Sequence, residues 1–293
     1  MHKSISYNGE VCTTLLQLWD SLHTSYNSAA NQPWDENLLS QVEEWKERDW
    51  YLFSASEIQE ALSKCSNTSA PEPDHLSWCH LKHLFKNHNF FEKFLCIANA
   101  CVFIGHWPSY FKVSTSVIIP KPNKPNYTTP KAFRPIVLLN TMGKLIEKLI
   151  SVRMHFEGNA CGIFHPSQFG ETQQHSTDDA DAFFTHAICL GWAQDKVTST
   201  LAFDVAQFFP SLNHQVLTKI IQKAGFNNLL VSFFKSHLTG QQTRYIFFFF
   251  FFIQQFISWC TKAVRQLNTA CTIYVNTNEF IARQTVSRAQ GSV

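Results

Sequence analysis

The chain has 293 residues, 45% apolar and only 16% charged, enough length and apolar content for a sizeable core and too little polarity for a disordered chain. Its net charge of +2 is unevenly spread: residues 1–204 carry 16 basic and 21 acidic side chains, whereas the remaining 89 carry eight basic residues and one acid, Glu279. Nine scattered cysteines without a CxxC pair, no signal-like apolar start and a longest apolar run of nine residues (Tyr245 to Ile253) exclude a disulfide scaffold, a secreted chain and a membrane span, and predict an intracellular protein, cytoplasmic or nuclear.

Residues 1–50 mix amphipathic pieces with polar loops and read as a leader or linker. Ser54 and Glu57 have capping-box spacing, with Phe53 and Ile58 placed for a hydrophobic staple, so a helix is predicted from Ser54 to about Cys65. SNTSAPEPD is a turn-rich loop, and apolar residues at helical spacing between Leu76 and Val102 predict two more helices. From Lys112 to Ile146 there is no acid, and five of the eleven prolines fall between Pro120 and Pro135; two strands joined by a stiff basic loop fit this pattern. Met142, Leu145, Ile146, Leu149 and Phe156 mark another amphipathic helix.

The run Val197–Val205 alternates, with Leu201, Phe203 and Val205 on one side and Ala202 and Asp204 on the other, which predicts a strand holding Asp204 on a small, polar face. Asn213 then caps a helix that stops at Gly225, and a further helix ends near Gly240. Beyond Arg244 six consecutive phenylalanines make a low-complexity run with neither helical nor alternating pattern, and the tail after Cys260 carries no assignable pattern.

Four constellations bear on chemistry, each with a bland alternative. Asp204 at a strand end suits a Mg²⁺ ligand, but a lone aspartate there also serves as a turn or cap residue. Lys121, Lys124, Lys131 and Arg134, without neighbouring acids, can hold phosphates of a nucleotide or nucleic acid, or form a solvated basic surface. Asp178, Asp179 and Asp181 could gather a metal, though Ser176 to Asp179 reads better as a helix start, where acids suit the dipole. Cys79, His80 and His83 are at most part of a zinc site. No GxSxG, HExxH, Walker A or GxGxxG sequence occurs, which removes the usual signatures of several enzyme classes.

Four segments in order, SAPEPDHLSW, VIIPKPNKPNYTTPKAFRPIVLLNTMGKLIEKLI, HPSQFGETQQHSTDDA and LAFDVAQFFPSLNH, resemble the reverse transcriptase domain of non-LTR retrotransposons, especially fungal Tad-type elements. The resemblance implies an α+β fold, helix-rich with a basic β-hairpin: a partial right-hand polymerase, its fingers plus an incomplete palm. By that likeness Asp204 is the first metal-binding catalytic aspartate, Phe209 checks the sugar 2′-carbon, Lys121 and Arg134 contact the incoming triphosphate, and Lys124 and Lys131 lie along the nucleic acid. It also implies Mg²⁺, an RNA template, a DNA primer and deoxynucleotide triphosphates.

Departures from the family pattern set a further expectation. Glu72 replaces the usual glycine of the first loop, and Gln173 and Gln174 stand where a basic residue is common. After Asp204 there is no aspartate, whereas family enzymes carry a later pair of adjacent aspartates. The domains expected are therefore a leader (1–50), a partial reverse transcriptase domain (51–245) and an unrelated tail (246–293), the whole truncated within the palm and inactive as written. The alternatives are a non-catalytic RNA- or DNA-binding remnant and an unstable pseudogene product.

Overall fold

The computed structural model describes residues 5–28, 30, 33–35, 37–68, 74–172, 174–205, 207–247 and 255–256. Asn8 and Gly9 adopt positive φ, 50° and 86°, as a two-residue hairpin turn demands, and join β1 (Ser6–Tyr7) to β2 (Glu10–Val11). Next come α1 (Leu15–Tyr26), begun by a Thr14–Gln17 capping box, and the short α2 (Asn37–Ser40). Then α3 (Ala55–Ser63), α4 (Trp78–Leu84) and α5 (His88–Phe103) follow, capped by the side chains of Ser54, Ser77 and Asn87. Strands β3 (Val113–Pro120) and β4 (Phe133–Leu139) pair antiparallel, and α6 (Thr141–Ala160) and α7 (Thr177–Ala193) succeed them. The chain continues through α8 (Phe208–Ser211), α9 (His214–Lys223), α10 (Asn228–Leu238), β5 (Gln242–Phe247) and β6 (Gln255–Phe256).

The sheet order is β4-β3-β5-β6, with β5 parallel to β3. This is a helix-rich α+β arrangement with a basic hairpin. The capping box at Ser54, the two helices after Leu76, the Asn213 cap and the glycine stops at Gly225 and Gly240 all form where their residue chemistry placed them. Gly225 is needed twice over: its φ is +77°, and a Cβ there would lie 2.5 Å from the Lys46 carbonyl oxygen.

The main core lies among α3, α4, α5, α6, α9 and α10, where Ile58, Leu81, Ala98, Leu145, Ile146, Ile150, Leu217, Ile221, Leu230 and Phe233 are fully buried. Burial of such side chains stabilises the fold by about 1.5–3 kcal/mol each before conformational entropy is counted. Residues 42–53 form an extended strap over it: Trp45 and Arg48 donate backbone N–H groups to Lys223 and Gly225, and the Arg48 guanidinium pairs with Glu157 at 3.0 Å.

Arg153 on α6 fastens the end of that strap. Its guanidinium binds both Glu57 oxygens, at 2.7 and 2.8 Å, donates to the Tyr51 and Leu52 carbonyls, and stacks over Phe53 at 4.5 Å. Burial pushes the Glu57 carboxyl up, but hydrogen bonds from Arg153 and Ser54, together with the Arg153 charge, outweigh it and hold Glu57 at about 2. A depressed carboxylate contributes stability above its ordinary value of 4.5 and loses it as pH falls toward 2. With Glu57 partly open to solvent, which screens the pair, Arg153→Ala should cost about 1 kcal/mol at neutral pH, with the difference from wild type shrinking in urea melts below pH 4.5. A pH-independent difference would refute that link.

The expected strand over Val197–Val205 does not form. These residues have no regular structure, and Leu201, Phe203 and Val205 are 76%, 85% and 59% exposed. The physical reason is that alternation decides which face a strand buries, not whether a neighbour supplies its hydrogen bonds. Among the described strands none lies alongside 201–205; β3 is flanked by β4 and β5 instead. Helix α7 shares this isolation, since none of its side chains is buried, and Phe183, Phe184 and Trp192 stand exposed. The Ser176–Asp179 capping box supports the helix-start reading of that acidic cluster.

Glu72, Gln173, the phenylalanine run from residue 248 onward and Glu279 lie outside the described residues. Among the described residues no helix is long and apolar enough to cross a membrane.

Candidate nucleotide and nucleic-acid interface

The hairpin register pairs Ile119 with Arg134, and the ladder runs one step further as the Lys121 N–H donates to the Ala132 carbonyl at 2.8 Å. Side chains two apart share a face, so Lys121 and Arg134 project from the same side of the hairpin. On the opposite side Ile118 and Phe133 are buried with Leu22 and Ile5 from the N-terminal segment. One face is thus anchored by apolar packing, and the other presents two cations.

The loop between the strands is shaped rather than loose. The Tyr127 hydroxyl donates to the Lys121 carbonyl at 2.7 Å, closing the loop on itself. Ser6 donates its N–H to the Thr128 carbonyl at 2.6 Å, and the Tyr26 hydroxyl donates to Pro130 at 3.4 Å. Burial, helped by nearby Tyr245, pushes the Tyr26 phenol well above its ordinary range, which keeps it a neutral donor. Residues 5–26, read from the sequence as a leader, therefore brace the basic hairpin. Lys124 and Lys131 are exposed on the braced loop, and Arg134 is exposed beside them. No carboxylate pairs with any of these four cations among the described residues, which leaves their charge available to an anion.

Sequence reasoning did not find the residues that set the hairpin's base. Asn140 ends β4 and caps α6 by accepting from the Met142 and Gly143 N–H groups, while its amide donates to Asp74 at 2.5 Å. Asp74 also accepts from the Leu76 N–H at 3.0 Å. The loop before α4 is thereby tied to the start of α6. The only signal was an aspartate after a Pro-rich turn, which names no partner.

Asp204 and Phe209 are placed differently. Asp204 is exposed on the irregular segment and has no hydrogen-bond or ion-pair partner among the described residues. Phe209 sits in α8, half-buried against the main core and edge-on to Phe208 at 5.5 Å. The Gln207 amide ties that turn to the Ser25 carbonyl of α1 at 2.7 Å. Nothing in the described geometry joins Asp204 to the hairpin cations. Mg²⁺ takes about six oxygen ligands in near-octahedral geometry. Among the described residues no three His, Cys, Asp or Glu side chains converge, and the Asp204 carboxylate alone does not fit that requirement.

A family model described as reverse transcriptase (RNA-dependent DNA polymerase) matches residues 119–266, just over half of the chain. Every hairpin cation, Asp204 and Phe209 fall inside that span, which runs on past Tyr245. The chain is also similar to a probable RNA-directed DNA polymerase from transposon X-element of Drosophila melanogaster, 27% identical over 250 residues that make up 81% of this chain. A second relative, a probable RNA-directed DNA polymerase from transposon BS of the same organism, is 30% identical over 127 residues, 43% of this chain. The matched regions span 27% and 14% of those two relatives.

Proposed function

The chain belongs to the reverse transcriptase (RNA-dependent DNA polymerase) family, and from that premise we propose that it is the fingers and the entry to the palm of a non-LTR retrotransposon polymerase, nearest to fungal Tad-type elements. The single observation that carries the reading is the braced hairpin, with Lys121 and Arg134 on one face and an apolar anchor on the other. Its chemistry is charge neutralisation: two cations held by backbone geometry bind the phosphates of an incoming nucleotide, and Lys124 and Lys131 bind the backbone of an RNA template or DNA primer. Such a protein works inside the cell, in cytoplasm or nucleus.

The exposed face of α7 and the segment 197–205 support a second part of the proposal. They are the surface on which the rest of a palm would pack, and Asp204 would become a metal-binding residue only when further carboxylates are brought to it. These 293 residues by themselves bind phosphate and do not polymerise. An observation favours the binding reading over an unstable product: the hairpin is anchored by its own apolar cluster with Ile5 and Leu22, so its cations are presented without the palm.

Titration of a fluorescent single-stranded RNA at several salt concentrations tests the proposal. Lys124→Ala and Lys131→Ala should each weaken binding and lower the slope of log affinity against log salt by about 0.7. Unchanged affinity and slope in the double variant would remove the hairpin from the interface.

A further inference from the structure

Lys148 of α6 is 6% exposed and Cys65, just beyond α3, is 8% exposed; they meet inside the helical core, away from the hairpin. The Lys148 ammonium donates to the Ala61 carbonyl at 2.7 Å and to the Cys65 sulfur at 3.2 Å. A second lysine, Lys82 of α4, donates to the Cys65 carbonyl at 2.7 Å. Among the described residues no carboxylate lies within ion-pair reach of Lys148. A buried ammonium without a carboxylate is costly. The Cys65 thiol also donates to the Ala61 carbonyl, at 3.3 Å, so the lysine nitrogen and the cysteine sulfur converge on one oxygen and lie in direct contact. Cys101, buried on α5, has its thiol pushed up to about 11 by burial.

We propose that Cys65 and Lys148 form a peroxide-sensitive modification site that closes to a covalent sulfur–nitrogen link between the end of α3 and α6. The Cys65 thiolate attacks one oxygen of hydrogen peroxide; an S–O bond forms, the O–O bond breaks, and the departing hydroxide takes a proton from the Lys148 ammonium to leave as water. Sulfur is oxidised by two electrons and peroxide is reduced by two. The neutral Lys148 amine then attacks the sulfenic sulfur, forming an S–N bond; the S–O bond breaks, and hydroxide leaves with an amine proton as a second water. The product is a sulfenamide, reversible by added thiol. The 3.2 Å separation brings nitrogen and sulfur together with little movement of either helix.

The test uses the full chain, reduced, exposed to hydrogen peroxide and mapped by peptide mass spectrometry. The expected product joins the Cys65 and Lys148 peptides at a mass about 2 Da below their sum, and dithiothreitol reverses it. Lys148→Arg should abolish the link while leaving a Cys65 sulfenate that dimedone traps. The proposal fails if Cys65 stays unmodified at a dose that oxidises exposed Cys79, Cys96 and Cys189. It fails equally if wild-type Cys65 stops at the sulfenate without linking to Lys148.

Discussion

Replacing Glu147 with leucine should destabilise the fold by about 3–5 kcal/mol, more than most single core substitutions cost, because it strands a polar partner. Glu147 of α6 meets the His237 ring of α10 at 2.9 Å, and each side chain is about 3% exposed. The imidazole is enclosed by aromatic groups, with Trp107 at 5.2 Å and Phe233 at 5.9 Å, so no solvent replaces the lost carboxylate. His237→Phe alone should cost a similar amount, since the Glu147 carboxylate is then buried without a donor. The double variant Glu147→Leu/His237→Phe should recover most of the loss, because two apolar groups need no partners. Urea denaturation of the four proteins gives the coupling energy directly. Strictly additive losses would show that the two groups act independently and that the pair does not fix how α6 sits against α10.

Neither partner of that pair was legible in the sequence. Glu147 falls within KLIEKLI and His237 within FKSHL, where either reads as a solvated face, and only the fold brings positions 90 residues apart to one point. Local chemistry fared better. Capping residues act within one turn, so Ser54, Asn213 and Gly225 could be read from neighbours alone. The basic hairpin was legible for the same reason: its prolines and the absence of acids are properties of one short stretch. The bracing of that hairpin by Ser6, Tyr26 and Leu22 was not, because a short amphipathic helix does not announce which surface it covers. The same limit explains LAFDV. Its alternation is real, but a strand is completed by its neighbours' hydrogen bonds, and these are not written in the strand itself.

That limit leads to the largest functional effect expected of this chain. Primer extension by these 293 residues, with Mg²⁺ or Mn²⁺ supplied, should give no incorporation above background, and Asp204→Asn should match the wild type. The chemistry of the family's reaction calls for several oxygen ligands converging on the reacting phosphate. Here Asp204 is exposed and unaccompanied among the described residues, and the sequence after it contains a single acid, Glu279. Phosphate binding should nevertheless persist, because Lys121 and Arg134 depend on the hairpin and its N-terminal brace rather than on Asp204. Binding and catalysis are thus separable in one preparation: salt-dependent RNA binding that responds to Lys124→Ala, beside incorporation that does not respond to Asp204→Asn. A longer polypeptide that brings further carboxylates against α7 and 197–205 should reverse the second result, with Asp204→Asn then reducing incorporation to background. Incorporation by the 293 residues that disappears in Asp204→Asn would overturn this account, since the further ligands would then have to come from residues of this chain.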